Sequence, residues 1–330
     1  MTIGAVLESL SRRMIGIQLK GRLGNQMFQY ASARTLAEQL GCSLLTAGST
    51  LGRRFGFIGH CLGLDERSFA KGRQQNGLLH DSFGRGPRFW QGRSVETVLP
   101  LVKCLLFPRS FSPRRSAARN VGRTFEVYDE SFFDQPSGTW LSGWFQSENY
   151  FAANAKRVRY WFQADEAQRR KLDELITHWP RGPQAMVAMH VRRGDYAQIR
   201  DGLGEGGQGW LLPTSYYHNA LERVPECTRL AICSDDPDWA KREFAKWRPW
   251  VSCNDSPVLD MWLIAQCRFN IIANSSFSWW GAWLNAHPDK VVFAPRYHLG
   301  WRIGEWVPGG IEVAGWSYLQ VNGDADCSAL

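Results

Sequence analysis

Short apolar runs that stop abruptly at Gly, Asn, Asp or Pro dominate the second half of the chain. "AMVAMHV", "RLAICSD", "WVSC", "FNIIAN" and "KVVFAP" are apolar almost throughout, the pattern of strands covered on both faces. Between them stand stretches at helical spacing: "PTSYYHNALERV", "PDWAKREFAKW", "PVLDMWLIAQC" and "SFSWWGAWLNA". In the last of these Phe277, Trp280 and Leu284 share one face, so most of its aromatics read as core packing. Strand and helix alternating in this way predict parallel βαβ units under a right-handed crossover rule.

The first half is less regular. Residues 14–19 read as a strand, followed by the loop "KGRLGNQ" and a helix over 25–40 that places Phe28, Ala31, Thr35 and Leu36 on one face, with Gly41 as its stop. "CSLLTA" supplies the next strand. Residues 55–121 are rich in Gly, Pro and Arg with little period, and read as loops and short helices. No internal repeat or low-complexity tract is visible. The expected organisation is an N-terminal α/β domain over 1–160 and a second over 161–330, with a C-terminal tail that could return to the first.

Composition narrows the picture without deciding it. A chain of 330 residues, 44% hydrophobic and 21% charged, is long enough for two folded domains. The net charge of +8 favours an anionic partner, whether a phosphorylated metabolite, nucleic acid or an acidic membrane. The eight cysteines contain no CxxC pair, and no His cluster stands at zinc spacing. Cys233, Cys253 and Cys267 fall within or beside apolar runs and read as reduced core residues. The first sixteen residues lack the long apolar core of a signal peptide, and no apolar stretch approaches the ~20 residues that span a bilayer. A cytoplasmic location is expected, and a peripheral position on the inner face of the membrane stays open.

Where the predicted strands end, the residue types change together. "MVAMHVRRGDY" (186–196) drives an apolar run into His190, Arg192, Arg193 and Asp195. Alternation points His190 and Arg192 to one face of the strand and Val191 and Arg193 to the other. After the second strand come Ser234, Asp235 and Asp236; after the fourth come Asn274, Ser275, Ser276 and Ser278. In a doubly wound sheet these ends share one edge, so basic and hydroxyl groups converge on one crevice. "NSSFS" at a helix start offers backbone N–H groups and the positive end of the helix dipole, and Arg192 adds a planar fork for two phosphate oxygens. Together these describe a diphosphate site with neither a Walker loop nor GxGxxG, which favours a mononucleotide diphosphate over ATP or NAD. Plainer readings stand beside each piece. "RRGD" fits a solvated turn, and "GRLGN" a tight turn shaped by Gly21 and Gly24. "SDDPDW" fits an N-cap at Asp236 with Pro237 at the first helical position and Asp238 in the first turn. Asp236-Pro237-Asp238 also mimics the DxD of metal-dependent sugar transferases, against which a helix start at Pro237 argues.

"GRLGNQMFQYA", "LSGWFQSENYF", "HVRRGDY", "CSDDPDW" and "IIANSSFSWWGAWL", in that order, resemble the bacterial α-1,2-fucosyltransferases of glycosyltransferase family 11. The resemblance implies an α/β fold of GT-B type, two Rossmann-like domains facing across a cleft. It implies inverting, metal-independent transfer of L-fucose from GDP-β-L-fucose to the 2-OH of a galactose, with no cofactor and a β-galactoside-terminated oligosaccharide or lipid-linked glycan as acceptor. Its HxRRxD pattern falls on His190, Arg192, Arg193 and Asp195. Arg192 would then bind the β-phosphate and His190 lie against the nucleotide. Asp236 or Asp235 would accept from guanine N1 and N2. Asn274, Ser275, Ser276 and Phe277 would complete the donor site. Arg22, Gly24 and Asn25 would close it from the N-terminal domain. Asp195 either orients Arg192 or takes the acceptor's proton, with Glu148 the rival base and Tyr196 a further acceptor-side candidate. A carboxylate beside arginines makes a weak base, which favours the orienting role. The loop "QIRDGLGEGGQGWLL" after Tyr196 reads as a flap.

Other classes remain in competition. Another GDP-sugar transferase, such as an α-1,6-fucosyltransferase, shares the same logic. A basic, aromatic-rich chain could bind single-stranded nucleic acid, but that needs groups spread along a groove rather than gathered at strand ends. Residues 85–123 carry nine Lys/Arg against the single acid Glu96, beside apolar "VLPLVKCLLF". At ~1 kcal/mol per basic residue near anionic lipid, that segment predicts weak membrane docking, with a solvated basic face as the plainer reading.

Overall fold

The computed structural model describes residues 14–47, 106–118, 123–164, 166–177, 179, 182, 185–199, 209–225, 229–252 and 256–322. They belong to two units, one within 1–115 and 126–163, the other within 116–125 and 164–330.

The first unit is built on β1 (Met14–Gln18), β2 (Ser43–Ala47), β3 (Arg109–Phe111) and β6 (Thr139–Leu141), all parallel in the order β2-β1-β6-β3. A short ribbon that belongs mainly to the second unit pairs β4 (Arg115–Ala117) with β5 (Thr124–Glu126). Helix α1 (Leu23–Gln39) departs from the one-faced pattern expected of it: thirteen of its seventeen residues are buried. The physical reason is a second layer of aromatics beyond the sheet. Phe151 packs on Phe28, and Trp161 and Phe162 pack on Tyr30, at centroid distances of 6.1–6.2 Å. Two of these rings flank the end of α2 (Ala155–Trp161). The stretch 55–121, expected to hold loops and short helices, contains strands β3 and β4 instead; its residues 55–105 and 119–121 lie outside the described ones.

The second unit carries six parallel strands in the order β12-β11-β10-β7-β8-β9. These are β7 (Met186–Val191), β8 (Arg229–Ser234), β9 (Trp250–Val251), β10 (Phe269–Ile271), β11 (Val291–Pro295) and β12 (Ser317–Leu319). All five predicted strands are present. The sixth, β12, was not anticipated, and it pairs the C-terminal tail with β11 of this same unit. Helices α3 (Glu166–Thr177), α4 (Thr214–Leu221), α5 (Pro237–Glu243), α6 (Pro257–Gln266) and α7 (Ser276–Leu284) accompany the sheet.

β7 shows why its sequence is apolar throughout. Met186 and Ala188 pack with Leu172 of α3 and with Leu263 and Ile264 of α6. Val187, Met189 and Val191 pack on the opposite face with Tyr216, Tyr217 and Phe244. Helix on both faces of a parallel sheet is the α/β arrangement the periodicity predicts. Buried Asn270 in β10 serves the loop before it, since its Nδ2 donates to the carbonyls of Ile264 (2.8 Å) and Cys267 (3.2 Å) where α6 ends. Cys233 and Cys267 are buried free thiols whose ionisation burial suppresses, whereas Cys42 is half-exposed.

Candidate functional site

Topology chooses the place. Successive strands run from β7 through β8 to β9 on one side and from β10 through β11 to β12 on the other, so the order reverses between β7 and β10. Parallel sheets of this kind open a crevice outside the carboxyl ends of the two strands that flank such a reversal. Arg192 and Arg193 follow β7 there directly, Asn274 and Ser275 follow β10, and Asp235 follows β8.

Arg192 is the centre of this edge. Its side chain is only 13% exposed and is held between two carboxylates: Nη2 pairs with Asp195 Oδ1, and Nη1 pairs with Asp235 Oδ2 at 2.8 Å. Its backbone N–H goes to the buried Tyr217 hydroxyl, whose ionisation burial suppresses. Asp235 also accepts the Arg193 backbone N–H at 2.8 Å. Gly194 permits this approach, because a Cβ there would stand 2.5 Å from Asp235 Oδ2. A guanidinium carries five N–H donors, so two carboxylates leave donors over for a further anion. Arg192 and Arg193 are outnumbered by Asp195, Asp235 and Asp236. An anion here would therefore be recognised by directed N–H groups rather than by net charge.

Arg193 forms the outer layer. Its guanidinium lies 3.9 Å from the centroid of Trp239, and its Nε pairs with Asp236 Oδ2 at 3.3 Å. Asp236 Oδ1 accepts the Trp239 N–H at 3.2 Å, which makes Asp236 the N-cap of α5, with Pro237 at the first position and Asp238 in the first turn. Both Asp236 oxygens are thus engaged within the protein. Trp239, missed as a site residue, is the stacking partner of Arg193; only proximity in the fold reveals it.

His190 is buried, with its ring 5.1 Å from that of Phe277. Burial, reinforced by Arg192, lowers its pKa to about 3, so the imidazole is neutral at physiological pH, and its Nδ1 has no hydrogen-bond partner among the described residues. Ser275 caps α7 by accepting the Phe277 N–H at 3.3 Å, and Ser276 is the first helical residue. Asn274 is buried; its backbone carbonyl accepts from the Tyr196 hydroxyl at 3.1 Å, and its Nδ2 donates to the Trp210 carbonyl at 2.8 Å. Tyr196 also meets Trp210 edge-on at 5.4 Å and lies under Arg192. In the sequence Trp210 reads only as part of the Gly-rich flap, whose residues 200–208 lie outside the described ones.

The remaining candidates, Arg22, Gly24, Asn25 and Glu148, belong to the first unit. The turn before α1, which carries Arg22 and leads into Gly24 and Asn25 of the first helical turn, is pinned by two buried glutamines of α1. Gln26 Nε2 donates to the Gly21 carbonyl (2.8 Å), while Gln29 brackets Lys20 by accepting its N–H (2.7 Å) and donating to its carbonyl (3.2 Å). Polar residues inside an otherwise buried helix were the available signal for this lock. Asn25 Oδ1 accepts from Gln146 at 2.7 Å. Glu148 opens a single 3₁₀ turn, Glu148–Tyr150, capped by Ser147. Among the described residues no group of three or more His, Cys, Asp or Glu is placed to hold a metal ion, and no helix is long and apolar enough to cross a membrane. The expected membrane-docking segment 85–123 lies largely outside the described residues.

The chain is similar to known proteins. The profile of glycosyl transferase family 11 matches residues 126–297, just over half of the chain. The O-antigen biosynthesis glycosyltransferase WbnK of Escherichia coli is 27% identical over 84% of this chain and 92% of its own length. An α-1,2-colitosyltransferase of Escherichia coli is 26% identical over 84% and 90%. The galactoside 2-α-L-fucosyltransferase Sec1 of Mus musculus is 28% identical over 34% of this chain and 32% of its own.

Proposed function

We propose, from the premise that the chain belongs to glycosyl transferase family 11, that it transfers L-fucose from GDP-β-L-fucose to the 2-OH of a galactose in a glycan. The observation that carries the reading is Arg192. It stands at the strand reversal of a parallel sheet, braced by Asp195 and Asp235, and the capped N-terminus of α7 follows the neighbouring strand β10. As the sugar leaves with oxocarbenium character, negative charge gathers on the departing diphosphate. Directed donors that meet this charge more strongly in the transition state than before it accelerate the step. Arg192 is such a donor, and the positive end of the α7 dipole adds to it. Asp195 orients Arg192 in this account, and the acceptor's proton passes to another group, for which Glu148 is the candidate. The reaction is read as metal-independent because Asp236, the first carboxylate of the DxD-like triplet, has both oxygens committed to Arg193 and to capping α5.

A colitosyl donor is the competing reading, favoured by the colitosyltransferase relative that aligns over most of the chain. Incubation with GDP-fucose and GDP-colitose against a panel of β-galactosides, with product linkage read by NMR, decides. An α-1,2-fucosyl product, formed equally in EDTA, is the expected outcome. A 1,6 linkage, exclusive use of the colitosyl donor, or activity lost in EDTA and restored by manganese would each replace part of the reading.

A further inference from the structure

We infer that Trp144 is a sugar-stacking platform, the surface on which the first unit receives the acceptor's galactopyranose ring. The inference rests on the transferase reading for the identity of the sugar, and on the first unit alone for the platform. Among the described tryptophans Trp144 alone is exposed, at 39%. Single exposed apolar residues are ordinary, but this one is held in place by three independent devices.

The first is backbone strain. Phe145 adopts φ 53 while its ring is fully buried against Phe132 and Tyr150, so the chain folds one aromatic inward and turns its neighbour outward. A bulky residue in the left-handed region persists only where its surroundings enforce it, and such residues cluster at ligand sites. The second is a carboxylate clamp. Glu126 Oε2 accepts the backbone N–H groups of both Trp144 (2.8 Å) and Phe145 (3.3 Å), and burial raises this carboxyl's pKa against the pull of those bonds, Arg115 and Lys20. The third is close approach. Gly21, at φ +75, passes beneath the indole so tightly that a Cβ would stand 2.9 Å from Trp144 Cζ3 and 2.8 Å from Asn25 Nδ2.

The surroundings fit a neutral, polyhydroxylated ligand. The Asn25–Gln146 amide pair lies in the same loop cluster, where the adjacent parallel strands β1 and β6 end. Indole offers an apolar face to the C–H side of a pyranose, and amides supply both donors and acceptors for its hydroxyls. The test uses the full chain and methyl β-D-galactopyranoside, followed by saturation-transfer NMR, with steady-state kinetics beside it. Trp144→Ala should abolish saturation transfer and raise the acceptor KM roughly ten-fold, the size of one lost aromatic contact. The KM for GDP-fucose should stay constant, which also reports that the variant is folded, and Trp144→Phe should recover part of the loss. Undiminished sugar binding in Trp144→Ala, a change in donor KM instead, or no saturation transfer in the wild type would overturn the platform. Failure of the transferase reading looks different: sugar binding that depends on Trp144 persists while GDP-fucose gives no product.

Discussion

The two sheets present opposite chemistries at their carboxyl ends. In the second unit that edge is ionic, with Arg192 locked between Asp195 and Asp235, and Arg193 between Asp236 and Trp239. In the first it is mainly amide and indole: Gln26 and Gln29 hold the turn, Asn25 meets Gln146, and Trp144 faces solvent. On an edge of opposed charges a diphosphate would meet the guanidinium donors that the carboxylates leave over. An edge of amides and one exposed ring suits a ligand without charge. The same kind of parallel sheet thus carries two unlike edges, and the difference lies in which side chains its loops hold.

The sharpest way to break this contrast is to remove the charge from one edge. Arg192→Ala should lower kcat by ~10²–10³, the loss seen when one preorganised oxyanion donor is deleted, with the acceptor KM unchanged. Arg192→Lys should recover only part, because a point charge cannot bridge two oxygens. Asp195→Asn should cost roughly ten-fold in kcat, the size of one charge-assisted hydrogen bond, and leave the shape of the pH–rate profile intact. A near-normal kcat in Arg192→Ala with only a raised donor KM would make the residue a uniform binder. A lost basic limb in Asp195→Asn would make that residue the base.

A smaller effect separates the units by acid. His190 and His298, both in the second unit, are buried with pKa values lowered to about 3. Below pH 6.5 the unfolded chain takes up protons that these folded histidines refuse, so their stabilisation is complete above 6.5 and erodes as pH falls toward 3. By pH 5 the erosion amounts to about 2 kcal/mol for each histidine. Melting at pH 7 and pH 5 should show the second unit losing structure first. A melting profile identical at both values would contradict the assignment.

How much of this was legible in the sequence follows the same division. The second unit was readable because strands covered on both faces, such as Met186–Val191, leave unbroken apolar runs, and because "SDDPDW" spells out its own helix cap. The first unit was not. Strands Arg109–Phe111 and Thr139–Leu141 are three residues long, too short to show a period. Helix α1 is buried nearly all round, so its glutamines gave no amphipathic signal although they pin the loop. Candidate residues around Arg192 were found through local pattern and resemblance. Its second carboxylate partner, Asp235, and the Arg193–Trp239 stack required three dimensions. Trp144 was hidden by abundance, since fifteen other tryptophans made any one of them look like core.

On the proposed function, the ionic edge of the second unit holds a guanosine diphosphate through Arg192. Isothermal titration of GDP and UDP into the wild type and Arg192→Ala tests it most directly. GDP should bind the wild type at least roughly ten-fold more tightly than UDP, and Arg192→Ala should weaken GDP by a similar factor or more, as loss of a charge-assisted contact requires. UDP binding as tightly as GDP, or GDP binding unchanged without Arg192, would contradict it.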